Sequence, residues 1–183
     1  MKSALIALLA LTTLAASAAP TSREYRVRGT RELARNHNEQ ALADLSKAVE
    51  LDPKRSDNYL VRALIYRKLA ERESDLFSRP EERARGEVHF QKALHDAVRY
   101  CEMEPRDTRG YCVRGEIYGH YAVREPKLYY PKALADFSRS IALKPNAIAY
   151  VGRARMKMRL GQQSAADADI EQARKLSGPS RKH

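Results

Sequence analysis

The chain has no tryptophan, and glycine and proline occur only eight times each. A loop-rich or disordered chain needs more of both, so a helical soluble composition is what remains. With 183 residues, 43% of them hydrophobic, there is enough chain for one domain with a real core. Catalytic signatures are missing too. There is no His-Glu-x-x-His, no glycine-rich phosphate loop and no Gly-x-Ser-x-Gly. His89 and His95 stand six apart and so fall on different faces of one helix, a poor arrangement for a metal. Cys112 and His120, eight apart, cannot touch as nucleophile and base. No catalytic residue, metal or cofactor is therefore expected, and the chain reads as a non-enzyme. No run of five lysines or arginines occurs, and acidic residues are interleaved throughout. The basic balance could suit nucleic acid, acidic lipid, cell-wall polymer or acidic protein, or be only a solvated surface.

Residues 1–18 stand apart. Lys2 precedes an apolar run from Leu5 to Leu14, and Ala16-Ser17-Ala18 supplies small residues at a cleavage site. This reads as a secretory signal peptide, predicted to be cut after Ala18. The run is short of the ~20 residues that span a bilayer, so no membrane span is expected in the mature chain. Cleavage removes one lysine and lowers the formal charge from +11 to +10. Export, to a periplasm or to the exterior, makes nucleic acid the least suitable partner. In such a compartment Cys101 and Cys112 could form a disulfide. Alternatively they are two small buried hydrophobes on adjacent helices.

What the chain does contain is a repeat. Ala41-Leu42-Ala43-Asp44 opens a thirteen-residue stretch ending at Pro53, which returns from Ala133 to Pro145 with seven identities. Looser copies start at Ala93 and Ala166. Alanine, an apolar residue four later and a terminating proline describe a helix with one close-packing face. Upstream of each copy lies Tyr-x-x-Arg followed by a small residue, at Tyr25, Tyr59, Tyr111 and Tyr150. Four helix–turn–helix units follow: 22–55, 56–106, 107–145 and 146–177, with a flexible tail at 178–183. Arg28, Arg62, Arg114 and Arg153 on the first helices recur with Asp44, Asp96, Asp136 and Asp169 on the second. A ligand rarely demands one pair four times, whereas a repeated packing geometry does. The pairs are read as Arg–carboxylate braces within each unit.

On these residues the chain resembles the tetratricopeptide-repeat family. Gly115, Tyr118, Ala133, Phe137 and Pro145 fill the family's slots in the third unit, and Gly29, Ala41, Leu45, Ala48 and Pro53 fill them in the first. Tyr25 to Tyr59 is the family's 34-residue period. The resemblance implies an all-α, right-handed superhelical stack of about four units. It also implies a peptide-binding groove lined by the first helices. The residues falling there are Arg23, Arg26, Thr30, Leu60, Leu64, Arg67, Lys68, Arg109, Glu116, His120, Arg155 and Arg159. Arg26 and Thr30 occupy the places of the Lys and Asn with which chaperone-binding members clamp a terminal carboxylate, so that clamp is not expected. The implied function is an adaptor with a protein partner, an acidic segment suiting the arginines, and the chain itself a monomer. Direct binding of an anionic envelope polymer is the rival.

Two segments break the period. Residues 71–88 are charged and helix-compatible, with Ser78-x-x-Glu81 and Pro80 as a helix start. They predict a helical hairpin projecting beyond the body. Residues 125–131, with Pro126 and Pro131, predict a rigid loop presenting Tyr129 and Tyr130 at the surface. Both inserts fall on the same edge of the stack. The last helix is predicted to open with the capping pair Ser164 and Asp167 and to carry Asp167, Glu171, Gln172 and Lys175 outward, a polar face that ends the stack.

Overall fold

The computed structural model describes residues 19–73 and 79–178; the predicted signal peptide and the predicted turn at Ser78 lie outside these. Eight helices follow one another among the described residues: α1 (Ser22–Ala34), α2 (Asn38–Leu51), α3 (Ser56–Glu73), α4 (Pro80–Met103), α5 (Thr108–Tyr121), α6 (Pro126–Leu143), α7 (Ala147–Arg159) and α8 (Gln163–Ser177). They pack pairwise, α1 with α2, α3 with α4, α5 with α6 and α7 with α8, and each pair rests on the next. The architecture is an all-α stack of helical hairpins of the tetratricopeptide type.

Local chemistry sets the helix starts. Thr21 Oγ1 accepts from the Glu24 N–H while the Glu24 carboxylate accepts from the Thr21 N–H at 2.7 Å, closing a capping box on α1. Asp107 caps α5 and Asn146 caps α7 through bonds of 2.8 and 2.9 Å. The start of α4 lies one residue later than predicted, because Glu82, not Glu81, accepts from the backbone N–H of Arg79. Ser164 does not cap α8, which already begins at Gln163 with no side-chain cap at Gln162.

Each pair closes on its small residues. Ala41, Ala93, Ala133 and Ala166 are fully buried. Gly152 of α7 lies so close to Phe137 of α6 that a β-carbon there would meet the ring at 2.3 Å, and one on Gly115 would meet it at 3.0 Å. Phe137 is thus held between two glycines, one from its own unit and one from the next. Such contacts give the packing of one unit on the next its register.

The two period breaks pack against each other. The segment predicted as a loop is the start of α6: Pro126 occupies its first turn, where a missing N–H costs nothing, and Pro131 lies inside the helix. Tyr130 is buried and Tyr129 half-buried, so neither forms the exposed pair predicted from sequence. Tyr129 meets Phe90 of α4 edge-on at 5.7 Å and stacks with Tyr118 at 5.9 Å. Phe90 stacks on Tyr121 at 3.3 Å, and the Tyr121 hydroxyl donates to the Gly86 carbonyl at 2.9 Å. From Gly86 onward the added turns of α4 are therefore seated on the end of α5 and the start of α6, not projecting free of the body.

Candidate functional site

Four arginine–aspartate pairs join the helices of each unit through two bonds apiece. Nε and Nη2 of Arg62 reach Asp96 at 2.7 and 2.9 Å, those of Arg114 reach Asp136 at 2.8 and 2.7 Å, and those of Arg153 reach Asp169 at 2.9 and 2.7 Å. Arg28 Nε lies 2.7 Å from Asp44. Asp96, Asp136 and Asp169 are buried, and each ties its arginine across to the other helix of its unit. Lys157 adds a second cation to Asp169 at 2.8 Å.

A separate depression lies elsewhere. A cavity of about 730 Å³ is lined by first helices and the start of α4: Arg67 and Glu71 of α3, Arg83 of α4, Glu116 and His120 of α5, Arg124 beyond it, and Arg155, Met156 and Arg159 of α7. Helical spacing explains the convergence. Glu116 and His120 are four apart, as are Arg155 and Arg159, and both pairs occupy the same places relative to Tyr111 and Tyr150. Arg67 is held on both sides, by Glu71 and by Glu116 at 3.6 Å, and its Nε is buried with no hydrogen-bond partner among the described residues. Arg124 approaches Glu87 at 3.7 Å. Arg83, Arg155 and Arg159 have no ion pair among the described residues. Five arginines against two glutamates leave the cavity positive.

His120 is a titratable member of this group. Burial lowers its pKa below the ordinary 6.5; Glu71 opposes that, while Arg67 and Arg124 reinforce it. A histidine held neutral by the fold stabilises it fully above the unfolded pKa and loses that contribution as pH falls below it. The melting temperature should therefore decline as pH drops from about 6.5 towards 5, and His120→Gln should remove part of that decline. Thermal melts of both proteins across this window check it.

Of the residues predicted for the groove, Arg67, Glu116, His120, Arg155 and Arg159 meet in this cavity. The others do not. Arg23 and Arg26 belong to α1, distant in the stack, and Lys68 bonds to Asn36. Arg109 is tied to its own cap, Asp107, at 2.9 Å. Leu60 is buried in the core, as is Tyr130. Arg83 and Arg124 escaped the sequence reading: Arg83 arrives only because the long α3–α4 pair folds back over α5, and Arg124 follows the end of α5. Cys101 and Cys112 are buried free thiols, not a disulfide. Cys112 Sγ lies 3.2 Å from Ser140 Oγ, and Cys101 packs under Gly110. Burial pushes Cys101 up to about 11 and raises Cys112 as well, so both stay protonated at neutral pH. No described helix is long and apolar enough to cross a membrane.

No protein-family model matches this sequence, and no curated protein matches it. Solved structures do. A thermophilic TPR protein from Thermus thermophilus is similar with a TM-score of 0.71 and 20% identity over 85% of this chain and 74% of that one. The TPR domain of Arabidopsis OM64 gives 0.59 and 21% over 76% and 96%. The first TPR of Spaghetti (RPAP3), solved bound to the HSP90 peptide SRMEEVD, gives 0.60 and 17% over 77% and 94%. At these identities the likeness is one of fold, an all-α stack of the tetratricopeptide-repeat type.

Proposed function

We propose that this chain is an exported, non-enzymatic adaptor of the bacterial envelope, most simply a Gram-negative periplasm, that holds an acidic protein segment in its arginine-lined groove. The observation that carries the reading is the convergence of Arg83, Arg155 and Arg159 from two separate helices on one cavity, each without an ion pair among the described residues. Arginine presents planar, multi-donor contacts that suit carboxylates. Rigid helices supply the groove, so a flexible segment contributes most of the ordering cost itself. Support by analogy comes from the Spaghetti (RPAP3) domain, whose peptide SRMEEVD has three acidic residues. Export rests on Lys2, the apolar run to Leu14 and Ala16-Ser17-Ala18.

The test is crosslinking capture from the native host. The expected product starts at Ala19, comes from the envelope fraction and is joined to one protein bearing an acidic segment. An intact Met1 in a soluble cytoplasmic pool would sink export. Retention on protein-free envelope polymer, released by raised salt and with no protein captured, would assign the positive groove to an anionic glycan or lipid headgroup instead.

A further inference from the structure

Asp167, Glu171, Gln172 and Lys175, predicted to face outward from the last unit, are exposed, and apolar side chains lie exposed with them on the face turned away from the third unit. Val151 and Met158 of α7 are 44% and 49% exposed, and Ile170 of α8 is 37% exposed. The repeat shows what these positions do elsewhere. Val151 follows the repeat tyrosine, as do Cys112 and Leu60, which are buried. Ile170 stands four residues after the repeat alanine, as do Phe137, Ala97 and Leu45, all essentially inaccessible. In the inner units each of these positions is covered by the following hairpin. In the last unit the same surface lies uncovered among the described residues.

A head-to-tail continuation by another copy does not fit. The covering helix would be α1, whose Arg31 occupies the place of Ile65, Ile117 and Met156, all buried against the preceding unit. Burying that arginine without a partner would be costly. The face is instead complementary to itself. Asp167, Ile170 and Arg174 lie three and four residues apart and share one side of α8. Asp167 and Arg174 are equally far from the midpoint between Ile170 and Glu171. When two α8 helices cross antiparallel about a twofold axis at that midpoint, each Ile170 packs on its counterpart. Each Asp167 then faces Arg174 of the other copy, giving two reciprocal ion pairs around an apolar centre, as an isologous contact requires. In the single chain both charges have only local exposed partners: Asp167 accepts from Gln163 at 2.9 Å, and Arg174 lies 3.1 Å from Glu171. Val151 and Met158 extend the apolar strip along α7.

We infer that the terminal face of α7 and α8 is a homodimer interface whose occupant is the same face of a second copy, centred on Ile170 and framed by Asp167 and Arg174. In place of the monomer expected from sequence this gives a dimer that borders the groove cavity, since Arg155 is four residues from Val151 and three from Met158 on one side of α7, while Arg83 on α4 stands apart from the contact.

The experiment is mass in solution, by sedimentation across a concentration series of the mature chain. Wild type should have twice the mass of one chain. Ile170→Glu, Asp167→Arg and Arg174→Asp should each weaken the dimer at least about tenfold while retaining helical circular dichroism, because all three side chains are exposed. Mixing Asp167→Arg with Arg174→Asp should restore a one-to-one dimer, since each reversed charge then meets its opposite. A wild type that stays monomeric at every concentration overturns the inference. So does a dimer that survives Ile170→Glu, or a failure of the two reversed variants to pair.

Discussion

Replacing Asp96 with alanine is expected to destabilise the fold by about 3–5 kcal/mol, because it strands a charge that the packing has already taken out of water. Asp96 is 1% exposed and its partner Arg62 16%. The guanidinium has two tyrosine rings near it, Tyr59 and Tyr66, each 5.9 Å away, but no second described carboxylate within ion-pair distance. Removing both partners, as in Arg62→Met with Asp96→Leu, should restore much of the loss, since no buried charge is then left unmatched. The single variant should melt about 6–20 °C lower than wild type, and the double variant between the two. The same change at Asp44 should cost far less, because Arg28 there is 51% exposed and regains water. The four pairs look alike in sequence but should rank by burial, with Asp96 first and Asp44 last. A double variant less stable than the Asp96 single variant would show that the pair itself drives folding.

That ranking marks where sequence stops being informative. The alternation of Tyr-x-x-Arg with Ala-x-x-Asp places each arginine opposite an aspartate, because both lie at fixed distances from the small residues where two helices must close. Helix pairing, stack order and the brace partners were legible for that reason. Exposure of the outermost pair depends on the absence of a preceding unit among the described residues, which no local pattern encodes. Tyr129 and Tyr130 were misplaced on similar grounds. Two prolines read as a loop, but Pro126 starts a helix as readily as it ends one. The surface that buries Tyr129 is made by Phe90 and Tyr121, from two other helices. Arg83 reaches the cavity by a fold-back whose geometry is tertiary. The outward positions of Asp167, Glu171, Gln172 and Lys175 were legible from helical spacing, but the exposed Ile170 and Leu176 beside them were not singled out.

The second large effect concerns the groove. Arg155 and Arg159 are four apart on α7, both line the cavity and neither has an ion pair among the described residues. Reversing both to glutamate exchanges two cations for two anions beside Glu71 and Glu116. An acidic segment should then bind about 10–100-fold more weakly at low salt, about 1.4–2.8 kcal/mol. Its salt dependence should flatten, because exposed charges attract over only ~10 Å at 0.1 M salt. Total charge alone could mimic part of this through slower encounter. The matched control is Arg99→Glu with Arg139→Glu, an equal change of charge at exposed positions on α4 and α6 outside the cavity.

The most direct measurement is therefore a titration of a fluorescent acidic peptide bearing a free terminal carboxylate. It compares wild type, the Arg155→Glu/Arg159→Glu protein and the Arg99→Glu/Arg139→Glu protein at two salt concentrations. The groove account predicts saturable binding by wild type, a loss of about 10–100-fold in the α7 variant and a much smaller loss in the control. Equal affinities in all three proteins at low salt, or equal losses in both variants, would contradict it and reduce the arginines of the cavity to a solvated surface.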